Sequence, residues 1–143
     1  MNLTNHHKCE IQMSILELNK MYNQISQQYC RGNDANETPS QDSLRQIIKE
    51  HAPNHQNDLH ERLINEFLHF GPITPLLKDT SINEIYIQGP DNIWIERNGQ
   101  KQKINEHFAN DISYKNFIDH LCSQANIQFN LNTPFADGHF HHF

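Results

Sequence analysis

The chain reads as an α+β protein: N-terminal amphipathic helices, then a small antiparallel sheet with covering helices. Three observations predict this. Apolar residues in the first segments recur at helical spacing. Two short runs, NEIYIQ and NIWIER, alternate apolar with polar residues around a GPDN turn. A second helical pattern, NDISYKNFIDHLCSQAN, follows the sheet. With 143 residues the chain has room for one ordinary domain, or a small domain with an appendage.

Residues 1–9 carry no periodic pattern and read as a frayed start. In EIQMSILELNKMYNQISQQYC, Ile11, Ile15, Leu18, Tyr22, Ile25 and Tyr29 are spaced four, three, four, three, four. That heptad seam predicts a helix with one sticky stripe, slightly widened by Met13, Leu16 and Met21. Two uses of the stripe are open: packing within its own domain, or docking on a partner helix. RGNDANETPSQD has turn residues and no periodicity, so it reads as a linker. Ser40 or Asp42 caps the next short helix, SLRQIIKEH. Leu44, Ile47 and Ile48 share its face, and Pro53 ends it.

NDLHERLINEFLHFGP predicts a stronger helix. Asn57 or Asp58 serves as cap, and Leu59, Leu63, Ile64, Phe67 and Leu68 lie along one side. Gly71 stands where a helix stop favours positive φ, and Pro72 prevents continuation. In TPLLKD, Thr74 is expected to cap a short helix with Pro75 at its first position. The two alternating strands follow. Asn98-Gly99 then marks a tight hairpin, because both residues tolerate positive φ. QKQKI reads as an outer strand whose lysines suit a sheet edge. Asn110 caps the last helix, which places Tyr114, Phe117, Ile118, Leu121, Cys122 and Ala125 on one face. FNL and FADGHF read as short strands. The expected organisation is a start and heptad helix (1–30), a linker and short helix (31–56), and an α+β domain (57–143) incomplete at its C-terminal hairpin.

Only 36% of residues are hydrophobic and the mean hydropathy is -0.79, which predicts polar, loosely packed stretches. A net charge of -6 argues against broad nucleic-acid binding, which needs clustered lysine and arginine. The one dense basic stretch is RNGQKQK. Three cysteines, far apart, read as free thiols of a reducing compartment. No apolar run approaches the roughly 18 residues of a membrane span. The first residues lack the apolar core of a signal peptide, so the chain is expected to be cytoplasmic.

There is no G-x-x-x-x-G-K-[ST] phosphate loop, no G-x-S-x-G elbow and no H-E-x-x-H. Eleven histidines include His139, His141 and His142 near the end, and His6 and His7 near the start. A structural zinc site wants four ligands on a rigid frame, and a chain terminus is not one, so no metal site and no catalytic residue is expected.

INEFLHFGPITPLLKDTSINEIYIQGPDNIWIERNG resembles the N-terminal domain of bacterial secretion and pilus-assembly ATPases. The closest group is CpaF-like, the motors of Flp/Tad pili, related to type II and type IV secretion ATPases. The family pieces appear in order: Phe70-Gly71-Pro72, Pro75-Leu76-Leu77, Ser81 through Pro90, and Asp91 through Gly99. The resemblance extends from about Leu59 onward, a little over half the chain. NTPFADGHF lies where the family opens a hairpin, with Pro134 at the family's proline, Asp137 at its aspartate, Gly138 at its alanine and His139 at its arginine. The RecA-like catalytic domain that follows in the family has no counterpart in these residues, so the chain is expected to be a fragment without ATPase activity of its own.

The resemblance implies a role in ring assembly and as nucleotide lid and lever of a hexameric bacterial motor for pilus assembly or protein export. ATP and magnesium are cofactors of the intact family, and tight binding to this chain alone is not expected. The implied partners are further copies, a full-length secretion ATPase and inner-membrane platform proteins, with peripheral attachment to that membrane through them. Family arginines neutralise phosphate charge in the closed state. His139 stands at one such position, but imidazole is the weaker phosphate partner. Arg97, in the E-R-x-G turn, is the better placed cation. The alternative is a free-standing regulatory or adaptor module that binds the ATPase or the platform through the Ile11 to Tyr29 stripe.

Overall fold

A computed structural model describes residues 15–31, 40–52 and 57–127. The readings that concern Ile11, His139, the FNL and FADGHF strands and the central linker lie outside the described residues. The order of elements is α1 (Ile15–Arg31), α2 (Gln41–His51), α3 (Asn57–Leu68), two 3-10 turns (Gly71–Ile73 and Leu76–Lys78), β1 (Ile82–Ile87), β2 (Ile93–Arg97), β3 (Gln100–Lys103) and α4 (Asp111–Gln124). The chain is therefore α+β, with a three-stranded antiparallel sheet in the order β1-β2-β3.

Local chemistry accounts for most boundaries. Ser40 is the N-cap of α2, its hydroxyl accepting the Ser43 N–H at 3.2 Å. Asn110 does the same for α4, accepting the Ser113 N–H at 2.8 Å. Each satisfies an N–H group that the first helical turn leaves unpaired. Gly71, at φ +55°, turns the chain out of α3. Thr74 does not cap the next turn as expected. Pro75 holds the cap position with no side-chain bond, and the Thr74 hydroxyl instead accepts the Phe70 N–H at 3.0 Å. The Gly71 turn brings that N–H to it, so Thr74 closes the exit from α3.

In the sheet, Ile85 faces Ile95 and Ile87 faces Ile93, so the four isoleucines share one side. Asn98 and Gly99 both take positive φ, at 52° and 73°, and close the β2–β3 hairpin. Every residue of β3 is exposed, as expected of a lysine-bearing edge.

Among the described residues the buried apolar side chains form two separate cores. In the first, Leu18, Tyr22 and Ile25 of α1 pack with Leu44 and Ile48 of α2 and Leu63 and Ile64 of α3. Tyr22 stacks on Phe67 with centroids 4.5 Å apart, and Tyr29 meets the same ring edge-on at 6.2 Å. The second core joins Ile73, Ile93, Phe108 and Phe117, with Ile85, Ile87, Tyr114 and Leu121 around them. The heptad helix is thus one side of a three-helix bundle that includes α3. The boundary expected before residue 57 falls inside this bundle, because α3 has its apolar side on α1 and α2. The linker connects two helices of the same lobe.

Candidate functional site

Two polar clusters stand out, one around Arg97, which the sequence singles out, and one around Glu66, which it does not. Arg97 ends β2, immediately before the Asn98-Gly99 turn. Its Nη2 donates to Asp79 Oδ2 at 2.8 Å. The other Asp79 oxygen accepts the Ser81 hydroxyl at 2.6 Å and the Ser81 N–H at 2.9 Å. These Ser81 bonds, with Arg97 beside them, hold the Asp79 carboxyl below its usual range. The turn is tied to the same corner by the Asn98 N–H, which Asn83 Oδ1 accepts at 3.2 Å. The Arg97 side chain is 38% exposed and its Nε is buried without a hydrogen-bond partner. The corner is therefore a partly exposed guanidinium held in place by an internal carboxylate. An incoming anion would meet it in competition with Asp79.

The stripe residues are placed differently. Leu18, Tyr22 and Ile25 are buried in the helical core, and Tyr29 is half-buried beside Phe67. Ile15 is 56% exposed and Leu16 76%. The middle of the stripe is therefore covered by α2 and α3 and is not available to a partner in this fold. The burial of amphipathic faces accounts for it: α2 and α3 each carry an apolar side that needs the same cover.

The second cluster centres on Glu66, whose side chain is fully buried. Ser113 Oγ of α4 donates to Glu66 Oε2. Glu66 Oε1 lies 3.1 Å from Arg62 Nη2, an ion pair without hydrogen-bond alignment. Arg62 also donates to Glu106 Oε2 at 3.0 Å and to the His107 carbonyl. Burial pushes the Glu66 carboxyl up; Arg62, Ser113, Ala109 and His107 pull it part of the way back. Sequence reasoning passed over Glu66, although a signal existed: it stands among Leu63, Ile64 and Phe67, near the apolar side of its helix.

A third feature is the outer side of the sheet. Tyr86 lies opposite Trp94, and Trp94 opposite Lys103. Lys101 Nζ sits 3.5 Å over the Tyr86 ring. The Tyr86 hydroxyl donates to Glu84, which is the main reason its pKa is pushed up to about 12. Charges on this side are thus largely matched within it, consistent with a solvated face.

Among the described residues no group of three or more His, Cys, Asp or Glu side chains gathers around a point that suits a metal ion. None of their helices is long and apolar enough to cross a membrane. At the Arg97 corner the guanidinium is 38% exposed, and the sequence has no G-x-x-x-x-G-K-[ST] phosphate loop. No family model matches the chain, and no curated protein matches it significantly.

Proposed function

We propose that the chain is the N-terminal part of a bacterial pilus-assembly or secretion ATPase of the CpaF-like kind. In this reading the chain contributes to ring assembly and presents Arg97 to a phosphate-bearing site built on another domain. It has no hydrolytic activity alone, since it lacks a phosphate loop. Its location is cytoplasmic, at the inner membrane through platform proteins.

The observation that carries the reading is the ordered string from Phe70 to Gly99. Its Gly-Pro step, its two alternating strands and its E-R-x-G turn occur in the order and spacing of that family. A further support is that Ile85, Ile87, Ile93 and Ile95 pair on one side of the sheet and that Arg97 comes at the strand end beside the turn.

The test is to mix the purified chain with an intact CpaF-like ATPase and follow both by size-exclusion chromatography with light scattering, then measure phosphate release. The expected result is co-elution of the chain with the ATPase, altered hydrolysis by the mixture, and no release by the chain alone. Absence of co-elution, or phosphate release by the isolated chain that survives repurification, would refute the reading.

A further inference from the structure

The two cores meet along a polar seam. No residue before Phe70 belongs to the second core, and after Phe70 only Ala109 belongs to the first. Between them, Glu66 and Ser113 are the two buried polar side chains among the described residues, and they are bonded to one another. Asn110 Nδ2 reaches back to α1, donating to Asn19 Oδ1 at 2.9 Å and to Asn23 Oδ1 at 3.1 Å. Asn116 Nδ2 donates to the Tyr22 hydroxyl at 3.1 Å. Among the described residues the chain passes from one lobe to the other once, at the step from Leu68 to Gly71.

We propose that this seam is a latch: the helical lobe (α1–α3) swings away from the sheet lobe about the Leu68 to Gly71 step, breaking the bonds of Glu66 to Ser113, of Asn110 to Asn19 and Asn23, of Asn116 to Tyr22 and of Arg62 to Glu106 and the His107 carbonyl, and withdrawing Ala109 from the first core while the rest of each core stays packed. Three physical points carry this. Parting two apolar surfaces costs in proportion to the area exposed, whereas polar groups released from a seam find water, so the net loss per hydrogen bond is small. A single covalent crossing among the described residues leaves the lobes free to rotate, and Gly71, at positive φ, supplies backbone freedom at the pivot. Opening also returns a buried carboxylate to water, and its rehydration offsets part of the cost of breaking the seam.

The Ala109 amide is the reporter, because Ala109 is buried in the first core between Phe108 of the second core and the α4 cap Asn110. Amide hydrogen exchange by NMR on the full chain tests the latch. The double variant Asn19→Ala/Asn23→Ala removes the two asparagine acceptors that α1 offers Asn110, replaces two helix positions with a better helix former, and leaves the Asn110 cap on Ser113 in place. The expected result is about tenfold faster exchange of the Ala109 amide, with the Ile48 and Ile95 amides unchanged. Ser113→Ala is expected to do the same from the other side. Unchanged exchange at Ala109 in both variants, or exchange at Ile48 and Ile95 rising in step with it, would overturn the proposal, since the seam would then be closed or would open only on global unfolding.

Discussion

Gly71 concentrates two constraints in one residue. Its φ of +55° is unfavourable for any residue with a side chain, and an added Cβ would lie 2.7 Å from Phe108 Cε1. Gly71→Ala is therefore expected to lose roughly 1–3 kcal/mol in urea unfolding, from backbone strain together with displacement of the Phe108 ring. Glu66 makes a prediction of a different kind. Its folded pKa is raised above 4.5, so the folded chain holds that proton more tightly than the unfolded chain. Its contribution to stability is greatest below the unfolded value and is lost as pH rises through the folded one. Glu66→Gln should flatten the fall in stability above pH 4.5, measured as the urea midpoint against pH, and an unchanged slope would contradict the assignment. Asp79 titrates in the opposite sense: its lowered pKa stabilises the corner above the usual carboxylate range and is lost as pH falls.

At the scale of elements, the caps and the buried helix face decide stability. Ser40→Ala removes the acceptor of the Ser43 N–H and is expected to cost about 1 kcal/mol. Ile25 is completely buried between helices, so Ile25→Ala is expected to cost about 2–5 kcal/mol in chemical denaturation. A smaller loss, near that of an exposed truncation, would mean that α1 is not the third wall of the bundle. The β2–β3 hairpin owes its register to Asn98 and Gly99, and the β1–β2 register shifts between Ile82 and Glu84, where the pairing is irregular. That irregularity leaves Ile85 and Ile87 in register with the isoleucines of β2, which keeps the apolar side continuous.

At the scale of the whole molecule, two cores joined through a polar seam imply weak coupling between lobes. The destabilisations caused by Ile25→Ala and Ile93→Ala, one in each core, are expected to add within about 0.5 kcal/mol in the double variant. A larger departure would show that the cores are packed as one body. The acidic balance of -6 fits the same picture of a polar, largely solvated exterior. The outer side of the sheet illustrates it: Glu84, Tyr86 and Lys101 interact among themselves.

The amino-acid order by itself determined what depends on near neighbours: the helical and strand periods, the Asn110 cap, a cap at Ser40 or Asp42 between which the structure chose Ser40, the positive-φ turn at Gly71, the Asn98-Gly99 hairpin and the shared side of the four isoleucines. Each is governed by bonds and sterics within a few residues, or by the strict two-residue period of a strand. Only the tertiary structure decided where the heptad stripe goes, that Thr74 turns back to Phe70, that Asp79 holds Arg97, and that Glu66 is buried against Ser113. These pairings join residues 4 to 47 positions apart. At the longer separations, side-chain type and spacing say what a group can bond but not which distant group will reach it. The stripe shows the reason most plainly: one apolar face can be covered from within or from outside with the same gain, and the packing of α2 and α3 chose the former.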